Sequence, residues 1–218
     1  AIKALISSGA DLEEGSRERA KTSASYIYGR VTALHMAAQY SNLEAARLLL
    51  EAGSDVNART QLPKPKGGAT PLFFAVRGLQ IYAASVPKLV SLLLEAGADV
   101  TLEVAFDDGD GLGLNFDTVL GYYTGYIHSR AEVVKMFLDA GADPNGQDTN
   151  FGQAPLHQLA LLNGDEGVKI GKLLLEYGAD PLLTDKDGDT PLDYAKELSE
   201  DQEMIDLLTE ATEKALKK

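Results

Sequence analysis

Apolar residues along the 218-residue chain recur in one arrangement. Five short runs each lead into a glycine three positions later: Ile2-Lys3-Ala4-Leu5-Ile6, Leu48-Leu49-Leu50, Leu92-Leu93-Leu94, Met136-Phe137-Leu138 and Leu173-Leu174-Leu175. The sequels are Gly9-Ala10-Asp11, Gly53-Ser54-Asp55, Gly97-Ala98-Asp99, Gly141-Ala142-Asp143 and Gly178-Ala179-Asp180. Such a run predicts a helix whose last turn is closed by a left-handed residue, which glycine adopts at little cost. The following Asp can hydrogen-bond the turn backbone. The glycines are spaced by 44, 44, 44 and 37 residues.

A second pattern alternates with the first: Thr32-Ala33-Leu34-His35, Thr70-Pro71-Leu72-Phe73, Thr118-Val119-Leu120-Gly121, Ala154-Pro155-Leu156-His157 and Thr190-Pro191-Leu192-Asp193. Thr offers an N-cap oxygen, Pro suits the first helical position, and Leu begins a buried stripe. Each unit therefore reads as a short helix, a turn, a longer helix and a glycine-closed exit. From capping glycine to the next helix start the chain takes 23, 17, 21, 13 and 12 residues, so the connecting loops are long in the first half and short in the second.

This alternation of a Thr-Pro-Leu-His-like start with a Leu-Leu-Leu-x-x-Gly-Ala-Asp-like end resembles the ankyrin repeat. The resemblance covers nearly the whole chain and implies an all-α solenoid of stacked helix-turn-helix units with long finger loops. A single domain over 1–218 is expected, with a partial repeat at 1–12 and repeats at about 30–58, 68–102, 116–146, 152–184 and 188–218. The last is polar on its outer side, as a capping unit must be. The helix Ile2 to Ser7 reads as the second helix of a pair whose first is missing, so more chain is expected upstream. By the same resemblance, His35 and His157 tie neighbouring repeats through backbone hydrogen bonds, while His128 is expected in a solvated turn.

The resemblance also implies that contacts with a partner come from the fingers and the exposed ends of the first helices, lining a concave face. Those ends fall at Gln39 and Tyr40, Arg77 and Gly78, Gly125 and Tyr126, Leu161 and Leu162, and Glu197 and Leu198. Tyr and Arg combine contact area with a hydrogen-bonding tip, which makes Tyr40, Arg77 and Tyr126 the expected anchors, beside Leu161. Two departures from the repeat add to the picture. Tyr122 and Tyr123 are expected either to splay the stack or to fill the gap beside Gly121. A lengthened stretch, Gly78 to Pro87, is expected to end with Pro87 restarting a helix.

Charge sharpens this picture. With 20 Lys and Arg against 33 Asp and Glu, the net charge is −13 and the pI about 4.6, which disfavours nucleic acid and anionic lipid and favours a partner with a basic surface. One finger is basic through Arg59, Lys64 and Lys66, and the next is acidic through Glu103, Asp107, Asp108, Asp110 and Asp117. Within the acidic finger, Phe106, Leu112, Leu114 and Phe116 require something to pack on. The stretch Asp107 to Gly113 places Thr118, not Glu, at the twelfth position of an EF-hand loop, and no Lys follows its glycines as a phosphate loop requires. A lightly ordered finger is expected there.

There is no cysteine, and no apolar run reaches the roughly 18 to 20 residues that span a bilayer. No nucleophile, base and orienter set can be assembled, so no catalysis, cofactor or metal is expected. The sequence reads as a cytoplasmic, monomeric scaffold that binds another protein, or more narrowly as a dedicated inhibitor whose acidic surface occludes a basic site on a partner enzyme. Candidate partner-binding residues are Tyr40, Arg77, Tyr126, Leu161, Arg59, Lys64, Phe106, Asp107, Asp108 and Asp110.

Overall fold

Every glycine expected to close a helix does so with positive φ: +78° at Gly9, +92° at Gly53, Gly97 and Gly141, and +91° at Gly178. At Gly53 the turn is complete, with Gly53 N–H donating to Leu50 O at 3.0 Å and Ser54 N–H to Leu49 O at 3.0 Å. These are the two bonds that satisfy the last carbonyls of a helix. The same pair of bonds recurs at Gly97, Gly141 and Gly178.

The computed structural model describes residues 2–15, 20–21, 27–28, 30–60, 68–77, 84–107, 114–125, 128–160, 162, 164–199 and 201–217. For residues 20–21, 27–28, 105–107 and 114–117 only the backbone is described. The chain divides into two compact units, Ala1–Phe116 and Asp117–Lys218.

In the first unit, α1 (Ile2–Ser7) is followed by the helix pairs α2 (Ala33–Gln39) with α3 (Leu43–Glu51) and α4 (Pro71–Arg77) with α5 (Val86–Glu95). First helices pack on first helices, α2 on α4, while α1, α3 and α5 stack in sequence as the second layer. Leu34, Ala38, Leu72, Phe73, Leu89, Val90 and Leu93 fill the space between the layers. Pro87 sits in the first turn of α5, as expected. A short ladder, β1 (Ala20–Lys21) with β2 (Ile27–Tyr28), pairs Ala20 with Tyr28 antiparallel.

The second unit repeats the arrangement with α6 (Val119–Thr124) and α7 (Ala131–Asp139), α8 (Pro155–Leu159) and α9 (Asp165–Glu176), and α10 (Pro191–Leu198) and α11 (Gln202–Ala215). Tyr123 is buried and meets Phe137 edge-on, ring centroids 5.8 Å apart, so it occupies the room beside the buried Gly121. Burial pushes the Tyr123 phenol up to about 12.

The all-α class holds, with one local difference. The acidic finger has an ordered stem, β3 (Val104–Asp107) paired with β4 (Leu114–Asp117). Val104 and Phe106, like Leu114 and Phe116, are β-formers at alternate positions, the period-2 signal of a strand. Residues 108–113 lie outside the described residues.

Side chains reach from one helix pair to the next at two recurring places. His35 is fully buried; its Nε2–H donates to Ala69 O at 3.0 Å, and its Nδ1 accepts from Thr32 N–H at 3.2 Å and from the Thr32 hydroxyl at 2.8 Å. His157 repeats this with Asp189 O at 3.1 Å and Ala154 N–H at 3.1 Å. A carbonyl can only accept, which fixes both rings as the neutral Nε2–H tautomer. The second place is the glycine turn. Asn57 Nδ2–H donates to Gly97 O at 3.1 Å while its Oδ1 accepts Asp99 N–H at 2.9 Å. In the second unit, Asn145 does the same to Gly178 O and Asp180 N–H, at 3.0 and 2.7 Å. Glu13, one repeat length before Asn57, accepts Asp55 N–H at 2.9 Å.

Two expectations follow. A Cβ added at Gly141 would meet nothing within 4 Å, so Gly141→Ala isolates the backbone cost of the left-handed turn. It should lower unfolding free energy in urea by about 1 kcal/mol, and an unchanged midpoint would refute the role assigned to the turn.

Burial pulls the His35 imidazole down from 6.5 to about 4, and His157 is lowered for the same leading reason. Above pH 6.5 the ring is neutral in both folded and unfolded chains. As pH falls, the unfolded chain takes up the proton first, so stability present above pH 6.5 is lost progressively down to about pH 4. The depressed carboxylates Asp99 and Asp193 act only below 3.8, which leaves the upper window to histidine. Between pH 7 and pH 5 the His35 contribution amounts to about 2 kcal/mol. Urea titrations at the two pH values should show a smaller drop for His35→Gln than for the parent chain; equal drops would contradict the tether.

Candidate functional site

Exposed surface near the first-helix ends and finger bases is where a partner could be held, and the structure sorts the expected residues into three groups. Tyr126, Leu161, Lys64, Asp108 and Asp110 lie outside the described residues. Phe106 and Asp107 lie on β3, of which the backbone alone is described at those positions. Tyr40, Arg77 and Arg59 are described in full.

Arg77 is the last residue of α4 and is half-buried. Arg59 Nη2–H donates to the Glu103 carbonyl, tying the base of one finger to the start of the next within the first unit. The attraction expected between neighbouring fingers is thus realised at Arg59 through a backbone oxygen. Tyr40 caps α2 and is 45% exposed. It borders an apolar groove of about 520 Å³ between α1 and α2, beside Ile2, Leu5 and Met36.

The second unit holds its two fingers rigidly. Asp148 organises the first: its Oδ1 accepts from Asn150 N–H at 2.8 Å and Phe151 N–H at 2.7 Å, and its Oδ2 from Gln153 N–H at 2.8 Å. Three bonds then staple this finger to the next. Lys186 N–H donates to Phe151 O at 2.9 Å, Lys186 Nζ to Asn150 O at 2.9 Å, and Gln147 Nε2 to Thr184 O at 2.8 Å. Beneath them, Tyr194 OH donates to Asp185 Oδ2 at 2.7 Å and accepts from Gln153 Nε2 at 2.7 Å.

Desolvation pushes the Tyr194 phenol up to about 12, with the Asp185 carboxylate acting in the same direction. For Asp185 desolvation is again the largest influence and works upward. Hydrogen bonds from Tyr194 and from the Asp189 and Asp187 backbone outweigh it and hold the carboxyl below its usual range.

On this stapled base Phe151 stands 48% exposed. Sequence reasoning passed over it. The available signal was a single large apolar residue inside the polar loop Asn145 to Gln153, next to a glycine, Gly152, that turns with φ +73°.

Charge is unevenly shared. Residues 117–218 hold 20 acidic and 9 basic residues, against 13 and 11 in residues 1–116, so the net charge is −11 in the second unit and −2 in the first. The acidity lies less in the one acidic finger than across the second unit. Away from the fingers, Lys135 pairs with Asp139 at 2.8 Å and with Tyr177 OH at 3.1 Å, an exposed cluster on α7 and the end of α9. Such a pair contributes little to stability in water.

Chemistry beyond binding finds little support among these groups. The imidazoles of His35 and His157 are committed to backbone partners, and among the described residues no group of three or more His, Cys, Asp or Glu is placed to hold a metal ion. Among the described residues, no helix is long and apolar enough to cross a membrane.

Comparison with known proteins agrees with the helix pairs. The family model for ankyrin repeats (3 copies) matches residues 1–104 and 126–218. The chain is 33% identical over 178 residues to the human ankyrin repeat and SOCS box protein 6, covering 79% of this chain and 37% of that protein. To the ankyrin repeat protein YahD of Escherichia coli it is 31% identical over 170 residues, covering 76% of this chain and 73% of YahD. To the mitochondrial disaggregase of Bos taurus it is 33% identical over 165 residues, 76% of this chain but 21% of that protein. The chain thus spans well under two thirds of the human and bovine relatives. Together the glycine-closed helix pairs, the buried histidine tethers and these matches show that the chain belongs to the ankyrin-repeat family, whose repeats serve protein–protein interaction and are generally non-catalytic.

Proposed function

We propose that this protein is an interaction scaffold that grips a partner protein with the first-helix ends and finger bases of its units, Arg59 and Arg77 in the first, and Tyr126, Leu161 and Phe151 in the second. The observation that carries the reading is the pair of stapled fingers under Phe151. An exposed aromatic on a base already fixed by Asp148, Gln147 and Lys186 has lost its loop entropy before any partner arrives, which favours affinity. Aromatic side chains of this kind dominate binding energy where they enter a pocket.

The partner surface is basic. A field from a net charge of −11 on the second unit attracts Lys- and Arg-rich surfaces and repels nucleic acid and anionic membranes. The same charge supports the narrower reading of an inhibitor that covers a basic site on an enzyme. The chain acts in this reading as a cytoplasmic monomer and performs no catalysis.

Immobilised chain should retain a partner from a cell extract, and the purified partner then allows the affinity to be measured. Phe151→Ala should weaken it about 10- to 30-fold, on the order of 2 kcal/mol, without moving the urea midpoint. Lys135→Ala, on the outer helices, should leave affinity unchanged. Raising salt from 50 to 300 mM should slow association more than it speeds dissociation, as expected for electrostatic steering. An affinity indifferent to Phe151 but lost with Lys135 would place the interaction elsewhere.

A further inference from the structure

The groove between α1 and α2 is the largest feature that partner binding through the fingers leaves unexplained. α1 ends in the same glycine turn as the second helices: Gly9 N–H donates to Ile6 O at 3.0 Å and Ala10 N–H to Leu5 O at 3.2 Å. It also stacks on α3 as second helices stack on one another. Yet one position behaves differently. Four residues before the capping glycine, Leu49, Leu93, Phe137 and Leu174 are 4%, 0%, 0% and 0% exposed, whereas Leu5 is 60% exposed. In each buried case, the helix pair supplies a first helix that packs against the second. α1 has no such helix among the described residues.

The opposite wall of the groove has the complementary pattern. Ala33, Met36, Ala37 and Tyr40 fall at i, i+3, i+4 and i+7, a stripe along α2, and they line the groove with Ile2 and Leu5. The two alanines leave room for close approach of another backbone, as at helix contacts generally. The groove's two polar side chains are already engaged: Asp11 Oδ1 accepts from Glu13 N–H, and Asn42 Oδ1 from Ala45 N–H. A hydrogen-bonding small molecule would therefore find few open partners, while an apolar helix face would need none.

We propose that this groove seats the missing first helix of α1's own pair, an amphipathic helix of the α2 type supplied by the chain on the amino-terminal side of Ile2. It would continue the first-helix layer that α2 and α4 already form. Tyr40 then belongs to the stack, and it drops out of the partner-binding row.

Register makes the idea testable, because residues 45–53 align with residues 1–9 one 44-residue step apart. Copying residues 32–44 in front of Ala1 therefore completes the pair. The chain contains no tryptophan, so Tyr40→Trp places one reporter in the groove. In the grafted chain its emission should shift to the blue, acrylamide quenching should fall several-fold, and the urea midpoint should rise. The same graft with the copies of Leu34 and Ala38 changed to Asp should do none of these. Unshifted emission despite added helical circular dichroism would overturn the proposal. So would a blue shift in the ungrafted chain that grows with concentration alongside a sedimenting dimer, which would give the groove to a second copy. Partner capture through Phe151 is read separately and does not depend on either result.

Discussion

Everything in this molecule hangs on the left-handed glycine turn at the end of each second helix. A residue at φ near +92° reverses the chain, satisfies the last helical carbonyls, and presents a carbonyl and an N–H at the start of the exit loop. Those two groups are what Asn57 and Asn145 clasp from the preceding turn. The turn therefore closes a helix and also forms the joint by which one helix pair holds the next. Buried His35 and His157 do the same for the first helices, and the neutral ring is the only state compatible with the donors around it. Stability comes from repeating a local arrangement, as expected where each unit contacts only its neighbours.

The fingers show how the same scaffold can differ from place to place. In the second unit two short fingers are locked to each other by Gln147, Lys186 and Asp148, and an aromatic stands on the result. At Thr101, the position equivalent to Asn57 and Asn145, the hydroxyl turns back to its own Asp99 at 2.7 Å, with no amide to clasp another turn. Small changes in side-chain length at one register position thus decide whether a turn reaches outward.

Much of the fold was legible in the sequence because its signals are local. The Gly-Ala-Asp endings and Thr-Pro-Leu-His starts each encode one hydrogen-bonded turn, so their positions gave the helix pairs and the histidine tethers directly. The β3–β4 stem was missed because only a four-residue alternation announces each strand, and the Asp- and Gly-rich stretch between them read as loop. Phe151 was missed for a different reason. Its exposure depends on Lys186, more than thirty residues away, which fixes the loop beneath it. Tyr40 was read as one of a row of helix ends; that it borders a groove follows from where α1 lies, which no pattern around residue 40 reveals.

The central claim is that the fingers of the second unit bind the partner. Hydrogen–deuterium exchange of that unit with and without its captured partner tests it most directly. Slowed exchange across residues 147–153 and 184–189, with α7 and the end of α9 around Lys135 and Tyr177 unchanged, is the predicted footprint. Protection centred on Lys135, Asp139 and Tyr177, with both fingers exchanging as in the free protein, would contradict it.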